Sequence, residues 1–213
     1  MLEFKLTPHH AGLSLWGDRA ALERLHGFVH RVVEESDVIV DEESFVLGLA
    51  YDVRKAFEGQ RSVGERSHFD DEHCRIYGVE ILWPVMLIQT ALLRHAMGFI
   101  PTNALDQAIM YELEYVVGSA ARAAMPVAAD DVLHRSRRAC VAPYEHLDSV
   151  LNSRCVYYIE TAPGKRLKIL PELMETFDPM YAFLAKQGAA RRHGLIPASA
   201  FDACEADWPD FEW

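Results

Sequence analysis

Apolar residues occupy every second position over residues 2–6, and Leu13 and Leu15 repeat this alternation a few residues later. A period of two is typical of strands that bury one face. The two runs are close enough along the chain to pair through a short turn. We therefore predict an N-terminal β-hairpin with its turn at 8–11.

After this hairpin, apolar positions recur at intervals of three and four, which is typical of amphipathic helices. Asp18 is suited to cap the first helix, and Gly59 is suited to stop the second. Asn103 and Asp106 have the spacing of a capping box at the start of a long helix. The predicted helices cover 18–36, 44–58, 84–97, 103–125, 130–140 and 144–151, and a last one begins at 171, is interrupted near 179 and ends at 188.

Two further stretches predict β-structure. Residues 76–83 alternate as a strand, after a polar loop at 60–74, and residues 156–160 and 167–170 are predicted to form a second hairpin at about 155–170. This arrangement of strands and helices predicts an α+β fold with a mostly helical core. We expect one globular domain over 1–200 and an acidic, aromatic tail over 201–213.

The chain has 213 residues, of which 50% are hydrophobic and 25% charged, as in ordinary globular proteins. Its net charge of −11 disfavours nucleic acid and anionic membranes as partners and favours a basic partner. The start of the chain lacks the pattern of a secretion signal, and the most apolar window, 79–100, is interrupted by Pro84 and by charged residues. We therefore expect a cytoplasmic protein with reduced thiols at Cys74, Cys140, Cys155 and Cys204.

Four segments resemble a known family. They are HAGLSLWGD at 10–18, FVHRVVEES at 28–36, VLGLAYDVRKAFEGQR at 46–61 and VEILWP at 79–84. Their order and spacing are similar to those of an uncharacterised bacterial family of unknown function. The resemblance covers about the first half of the chain, and it implies a shared fold but no activity.

Several polar residues are candidates for one ligand pocket. Asp52 and Arg54 are two positions apart on a predicted helix, so they point away from each other and need partners elsewhere. Glu112 interrupts the apolar face of the 103–125 helix, so we expect it to be buried beside a basic side chain. The complete set of pocket candidates is His10, His30, Asp52, Arg54, Trp83 and Glu112. Structural ion pairs are the alternative for the charged residues.

Histidines four positions apart on one helix can hold a metal ion, and His26 and His30 have that spacing. His9 and His10, from the preceding turn, are the candidates for a third ligand. The segment HFDDEHC at 68–74 is also dense in ligand types. Neither stretch has a complete metal motif, so we expect ordinary polar surface in both places and no metal or other cofactor.

Residues 201–213 combine large aromatic side chains with acidic ones. Trp208, Phe211 and Trp213 are spaced among carboxylates, and Phe201 begins the segment. Carboxylates keep such a segment soluble, while aromatic residues anchor it in a groove. Trp208, Phe211 and Trp213 are therefore our candidates for partner binding. The alternative is that the tail folds back and buries its aromatic residues on its own domain.

The sequence lacks the glycine-rich, nucleophile-elbow and HExxH motifs of common enzymes. Together with the acidic charge and the aromatic tail, this favours a non-enzymatic binding or accessory protein, of regulator or immunity type. Such a protein engages a protein partner or a second copy of itself. The alternative is a small enzyme or ligand-binding protein that uses the pocket candidates, provided that they converge on one solvent-reachable cavity.

Overall fold

The computed structural model describes residues 1–40, 45–67, 73–186, 195–202 and 208–213. The strands are β1 (Leu2–Leu6), β2 (Gly12–Asp18), β3 (Ser62–Ser67) and β4 (His73–Leu82). The helices are α1 (Arg19–Glu35), α2 (Phe45–Phe57), α3 (Trp83–Ala96), α4 (Ala104–Ala124), α5 (Ala129–Ala139), α6 (Tyr144–Glu160), α7 (Pro163–Glu175) and α8 (Pro179–Lys186). The strands form one antiparallel sheet in the order β1–β2–β4–β3. The predicted α+β class is confirmed.

The N-terminal hairpin is also confirmed. β1 and β2 pair from Leu2 opposite Gly17 to Leu6 opposite Leu13. The Thr7 hydroxyl donates to the carbonyl of Gly12 and accepts from its amide, each at 3.0 Å, and so closes the turn. β2 pairs with β4 on its other edge, so the hairpin is part of the sheet.

The Trp16 indole lies flat on two neighbouring strands. A Cβ atom at Gly78 would overlap the ring, and one at Gly64 would lie 3.1 Å from it. The Lys5 ammonium sits over the ring, 3.8 Å from a ring centroid. Glycine is therefore required at Gly78, because the ring takes the place of a side chain there.

The predicted helix starts are confirmed at two caps. The Asp18 carboxylate accepts the amide of Ala21 at the start of α1. At the start of α4, Asn103 and Asp106 form the capping box. The buried Asp106 carboxylate also pairs with Arg31 of α1. A capping residue of α4 therefore also joins α4 to α1.

The predicted polar loop at 60–74 is wrong over residues 62–67, which form β3. Residues 62–67 pair with residues 73–78 of β4. The segment SVGERS has only one large apolar side chain, so it has no alternation by which a strand is recognised. Its pairing depends on backbone hydrogen bonds to β4, which side-chain patterns do not reveal.

The predicted second hairpin at about 155–170 is also wrong. Residues 156–160 are the last turns of α6, and residues 167–170 lie inside α7. Buried residues of α7 at 166, 170, 173 and 174 have helical spacing. Pro163 is at the first turn of α7, where its missing N–H costs nothing. The Pro163-Gly164 pair therefore begins a helix instead of forming a hairpin turn, and Pro171 lies within that helix.

The centre of the core is α3, which packs against α1, α2, α4, α5 and α6. It begins at Trp83, whose side chain is completely buried. Eleven of its fourteen residues are buried, including the polar Gln89 and Thr90. Among the described residues, no helix has the length and apolar character that crossing a membrane requires.

The end of the chain packs against the same core. Phe201 is buried, and Phe211 and Trp213 are partly buried against core residues. The Trp213 carbonyl accepts the amide of His9 at 2.8 Å. The aromatic residues Phe201, Phe211 and Trp213 thus fold back on their own domain. This arrangement is the alternative to partner binding that the sequence left open for the tail.

Arg166 of α7 joins this end of the chain to the β1–β2 turn. Its side chain is 3% exposed. It donates to the carbonyls of Ile159 (2.8 Å), Thr161 (3.1 Å), His9 (2.9 Å) and Glu212 (3.0 Å). We call Arg166 and these four carbonyls the arginine seam.

Candidate functional site

A cavity of about 70 Å³ lies where α3, α4 and α5 meet. Counted from the first lining residue of each helix, the others follow three, four, seven or eight positions later, so they lie on one side of that helix. The apolar lining is Leu87, Ala91, Val117, Gly118 and Leu133. The polar lining is Thr90, Arg94, Glu114, Arg122, Ser136 and Arg137.

Arg94 is held firmly in the cavity wall. It donates from Nε (2.9 Å) and Nη2 (2.6 Å) to the two carboxylate oxygens of Glu114, and from Nη1 to Gln107 at 2.9 Å. Its guanidinium carbon lies 4.8 Å from the centroid of the Tyr111 ring. The hydrogen bond to Glu114 raises the pKa of Arg94, against the opposing effect of partial burial. Arg94 is therefore a permanently charged group in a defined orientation.

Arg122 folds over a glycine at the edge of the cavity. A Cβ atom on buried Gly118 would lie 3.3 Å from Arg122 Nη1 and 3.9 Å from Leu133 Cδ1. Because Gly118 has no side chain, the guanidinium can approach the helix at this point. Arg122 also donates to Asp130 at 3.1 Å, but 60% of the arginine side chain and 83% of the aspartate are exposed. Such a pair contributes little, so Arg122 is available to other anions.

Arg137 differs from its neighbours on α5. Arg135 pairs with Asp131 and with Glu175 of α7, and Arg138 pairs with Asp178 at 2.6 Å. Arg137 is exposed on another face, at the cavity, where no carboxylate among the described residues lies within ion-pair distance. The positive charge of Arg137 at the opening of the cavity, which we call its mouth, is therefore not paired with any described carboxylate.

The two hydroxyls of the cavity differ in their hydrogen bonding. Ser136 donates to the Leu133 carbonyl at 3.0 Å. Thr90 is 92% buried, and its Oγ1 atom has no hydrogen-bond partner among the described residues. Leaving a buried hydroxyl unpaired costs about 1–3 kcal/mol. Thr90 lines the cavity, so its unpaired hydroxyl is the candidate group for a hydrogen bond to a ligand bound there.

The cavity has a positive local charge in an acidic protein. Its lining holds three arginines and one glutamate, whereas the net charge of the whole chain is −11. Glu114, the carboxylate in the lining, is fully engaged by Arg94. Among the described residues, the lining contains neither histidine nor cysteine. Guanidinium and hydroxyl donors of this kind bind anions, and none of these groups is arranged as an activated nucleophile.

The structure places most of the predicted pocket residues apart. Arg54 is exposed and lies 4.0 Å from Glu58. His10 is exposed in the β1–β2 turn, and its carbonyl accepts the Tyr158 hydroxyl at 2.9 Å. Trp83 is enclosed in the core. These three side chains therefore lie in three different environments.

The prediction that Glu112 is buried beside a basic side chain is wrong. The side chain is half-buried, and it accepts the backbone amide of Leu2 at 2.7 Å. No basic side chain among the described residues pairs with it. The buried face of α4 runs through Ile109, Leu113 and Val116, whereas Leu105 is 58% exposed. An apolar face that included Leu105 would extend as far as Glu112, but Leu105 is exposed, so Glu112 lies at the edge of the buried face.

Asp52 lies in a second cavity, of about 340 Å³, which it shares with Arg61, Glu80, Trp208 and Trp213. Burial raises the pKa of Asp52, and a hydrogen bond from Arg61 at 3.3 Å partly opposes this. The structure thus brings one predicted pocket residue together with two predicted partner-binding residues. His30 lines a third space, between α1 and α2, with none of the other candidates.

The predicted partner-binding residues differ in exposure. Trp208 is 42% exposed and donates from Nε1 to Asn152 at 2.8 Å. Phe211 and Trp213 are in mutual contact, with ring centroids 4.8 Å apart, and both pack against the core. Of the three, Trp208 presents the largest free surface.

His26 and His30 are neighbours, with ring centroids 4.6 Å apart. Burial, followed by the proximity of His30, lowers the pKa of His26. Within the described ranges, no three His, Cys, Asp or Glu residues are grouped closely enough to hold a metal ion. Residues 68–72 of the second ligand-rich stretch lie outside the described residues.

The cavity is not predicted by the sequence, because its residues come from three separate helices. One local signal was present: Thr90 and Arg94 are polar positions four apart in a mostly apolar helix. A second was Arg137, which is out of phase with Arg135 and Arg138 on α5.

Comparison with known proteins gives a family without an assigned activity. A family model described as Domain of unknown function (DUF6904) matches residues 2–213. This confirms the resemblance to an uncharacterised family and extends it to nearly the whole chain. No curated protein matches the chain. No solved structure matches it.

Proposed function

Since the chain belongs to this domain family of unknown function, we propose a function from its own geometry: it is a binding protein that holds a small anion, or the anionic group of a larger ligand, in the cavity between α3, α4 and α5. The observation on which this proposal rests is the Thr90 hydroxyl, which is buried without a partner among the described residues, in a cavity that three arginines also line.

Two alternatives explain a buried unpaired hydroxyl, and the surroundings favour one of them. A packing defect would be surrounded by apolar groups, and the hydroxyl would then only destabilise the fold. Thr90 instead lines a space that Arg122 and Arg137 also line, and both arginines have donors to spare. Converging donors around a cavity are what an anion requires.

The proposal predicts a specific stabilisation by anions. Sodium acetate, sulfate and phosphate should each be compared with sodium chloride at equal ionic strength, by thermal unfolding. An anion present at ten times its Kd adds about 1.4 kcal/mol of stability. For a domain of this size, that raises Tm by about 3–6 °C. Isothermal titration with the most effective anion then gives the stoichiometry, which should be one.

Three variants test whether the effect arises in the cavity. Thr90→Val removes the hydroxyl at constant shape, and Arg137→Gln removes the free charge, so both should abolish most of the anion-dependent shift. Thr90→Ser retains the hydroxyl and should respond like the wild type. Arg24→Gln changes an exposed arginine of α1 that does not line the cavity, and it is the matched control for Arg137→Gln. Equal shifts in chloride and in the test anions, or unchanged responses in Thr90→Val and Arg137→Gln, would refute the proposal.

Engagement of a protein partner is the second candidate function. It is supported by exposed aromatic residues around the end of α3 and along α4: Phe99 is 64% exposed, Tyr111 62% and Tyr115 74%. Large aromatic residues exposed together are frequent in protein interfaces. A basic partner or self-association remains a proposal from the net charge, whereas the charge of the cavity favours an acidic partner at this surface.

A further inference from the structure

The cavity is too small for an entire ligand of ordinary size. Its volume of about 70 Å³ has room for a few water molecules, whereas sites that enclose a small-molecule ligand measure about 300–1,000 Å³. A larger ligand would therefore place only its charged end inside. The remainder would lie on the surface around the mouth.

Two exposed tyrosines lie beside that mouth. Tyr111 and Tyr115 are one turn apart on α4, so they lie on the same side of the helix. The Tyr111 ring contacts the guanidinium of Arg94, which lines the cavity. We call Tyr111 and Tyr115 the tyrosine ledge. A tyrosine ring offers a broad apolar face and a hydroxyl that bonds to peptide groups, which suits it to binding polypeptides.

The charges in the lining favour a carboxylate over a phosphate. A carboxylate has one charge and two oxygens, and the Thr90 hydroxyl and the Arg137 guanidinium are donors without a protein acceptor among the described residues. Glu114 lies in the same lining, where it repels a dianion more strongly than a monoanion. The number of free donors and the presence of Glu114 thus both favour a carboxylate as the ligand group.

We infer that the cavity receives the carboxylate of an aspartate or glutamate side chain of a partner polypeptide, and that the residues beside it in the partner lie on the tyrosine ledge. This inference rests on the proposed anion-binding function and identifies its ligand as an acidic peptide segment. The carboxylate is held by Thr90 and Arg137, with Arg122 at the rim. The tyrosine ledge provides contact area for the rest of the peptide, which a free anion does not have.

A random dodecapeptide library displayed on phage tests the inference with a defined probe. Selection on the wild-type protein should enrich peptides with a shared acidic position. The best peptide, made synthetically, should lose at least about tenfold in affinity when glutamine replaces its glutamate, because a charge-assisted hydrogen bond is lost. A selection without an acidic consensus would overturn the inference, as would a peptide indifferent to this replacement. If phosphoserine at that position binds more tightly than glutamate, the assignment to a carboxylate is wrong.

Variants of the ledge separate this inference from the anion-binding function. Tyr115→Ala should weaken the peptide by about fivefold or more and leave acetate binding unchanged. Tyr51→Ala, an exposed tyrosine of α2, is the matched control and should change neither. If acetate binds in a Thr90-dependent manner but peptide binding is insensitive to Tyr115→Ala, the anion site stands and the peptide inference fails. If no anion binds, the proposed function fails first.

Discussion

Arg166 and Arg94 both lie between packed helices, but their surroundings differ in hydrogen bonding. In the arginine seam, four backbone carbonyls surround Arg166 and accept its N–H groups. In the cavity, each guanidinium nitrogen of Arg94 donates to a side chain, but the Thr90 hydroxyl has no partner and Arg137 has no carboxylate among the described residues. The seam is a completed network, and the cavity is an incomplete one.

This difference in hydrogen bonding is a guide to function, because the family of this chain has no assigned function. Buried polar groups are normally paired within the protein, and a paired group has nothing further to offer a ligand. A group that remains unpaired beside a cavity lowers stability unless something binds there. The seam is therefore assigned to stability and the cavity to binding, and substitutions in the two regions should have opposite effects.

The largest effect is expected at the seam. Arg166→Met leaves four carbonyls of the buried seam without a donor, so unfolding in urea should show a loss of at least about 3 kcal/mol. Lys168→Met, an exposed residue of the same helix, should change stability by less than about 0.5 kcal/mol. A loss below about 1 kcal/mol in Arg166→Met would mean that water replaces the arginine, and the contrast with the cavity would then disappear.

The next effect compares two buried threonines. Thr176 donates to Leu173 at 2.7 Å and accepts from Arg154 at 3.3 Å, whereas Thr90 has no partner among the described residues. Thr176→Val should therefore destabilise by about 1–2 kcal/mol, while Thr90→Val should stabilise the ligand-free protein by about 1 kcal/mol. Chemical denaturation in chloride buffer measures both changes. A similar loss in both variants would show that Thr90 is bonded in the folded protein.

The smallest effect compares two helical glycines. Gly27 of α1 has open space around it, and Gly118 of α4 lines the cavity beneath Arg122. Alanine at either position should stabilise its helix by about 0.5–1 kcal/mol. Only Gly118→Ala should also weaken anion binding, because its methyl group occupies the cavity and displaces Arg122. Anion titrations of the two variants separate an effect on the binding site from an effect on helix stability. Equal anion affinities in Gly27→Ala and Gly118→Ala would mean that the anion binds outside this cavity.

Much of the fold could be predicted because its signals are local. The cap at Asp18 and the capping box at Asn103 and Asp106 each involve residues close in sequence. β3 was missed because its pairing with β4 leaves no trace in its own side chains. The helical nature of 155–170 was missed because short apolar runs fit strands and buried helices equally well.

The candidate site was less predictable than the fold. Asp52 lies at a cavity, but it shares that cavity with the tail residues Trp208 and Trp213 and with none of the other pocket candidates. Thr90 is not recognisable as a site residue from the sequence, because a threonine in a mostly apolar helix usually bonds to its own backbone. Whether it does so depends on the packing of α4 and α5 beside it, and no sequence pattern contains that information.

The β1–β2 turn also has a consequence for the order of folding. The carbonyls of His9 and His10 are bound by Arg166 and Tyr158, at sequence separations of 157 and 148 residues. Contacts that close such long loops are entropically costly and form late. The hairpin and the helices should therefore assemble before the seam closes. Weakening the seam should then accelerate unfolding and leave the rate of folding nearly unchanged.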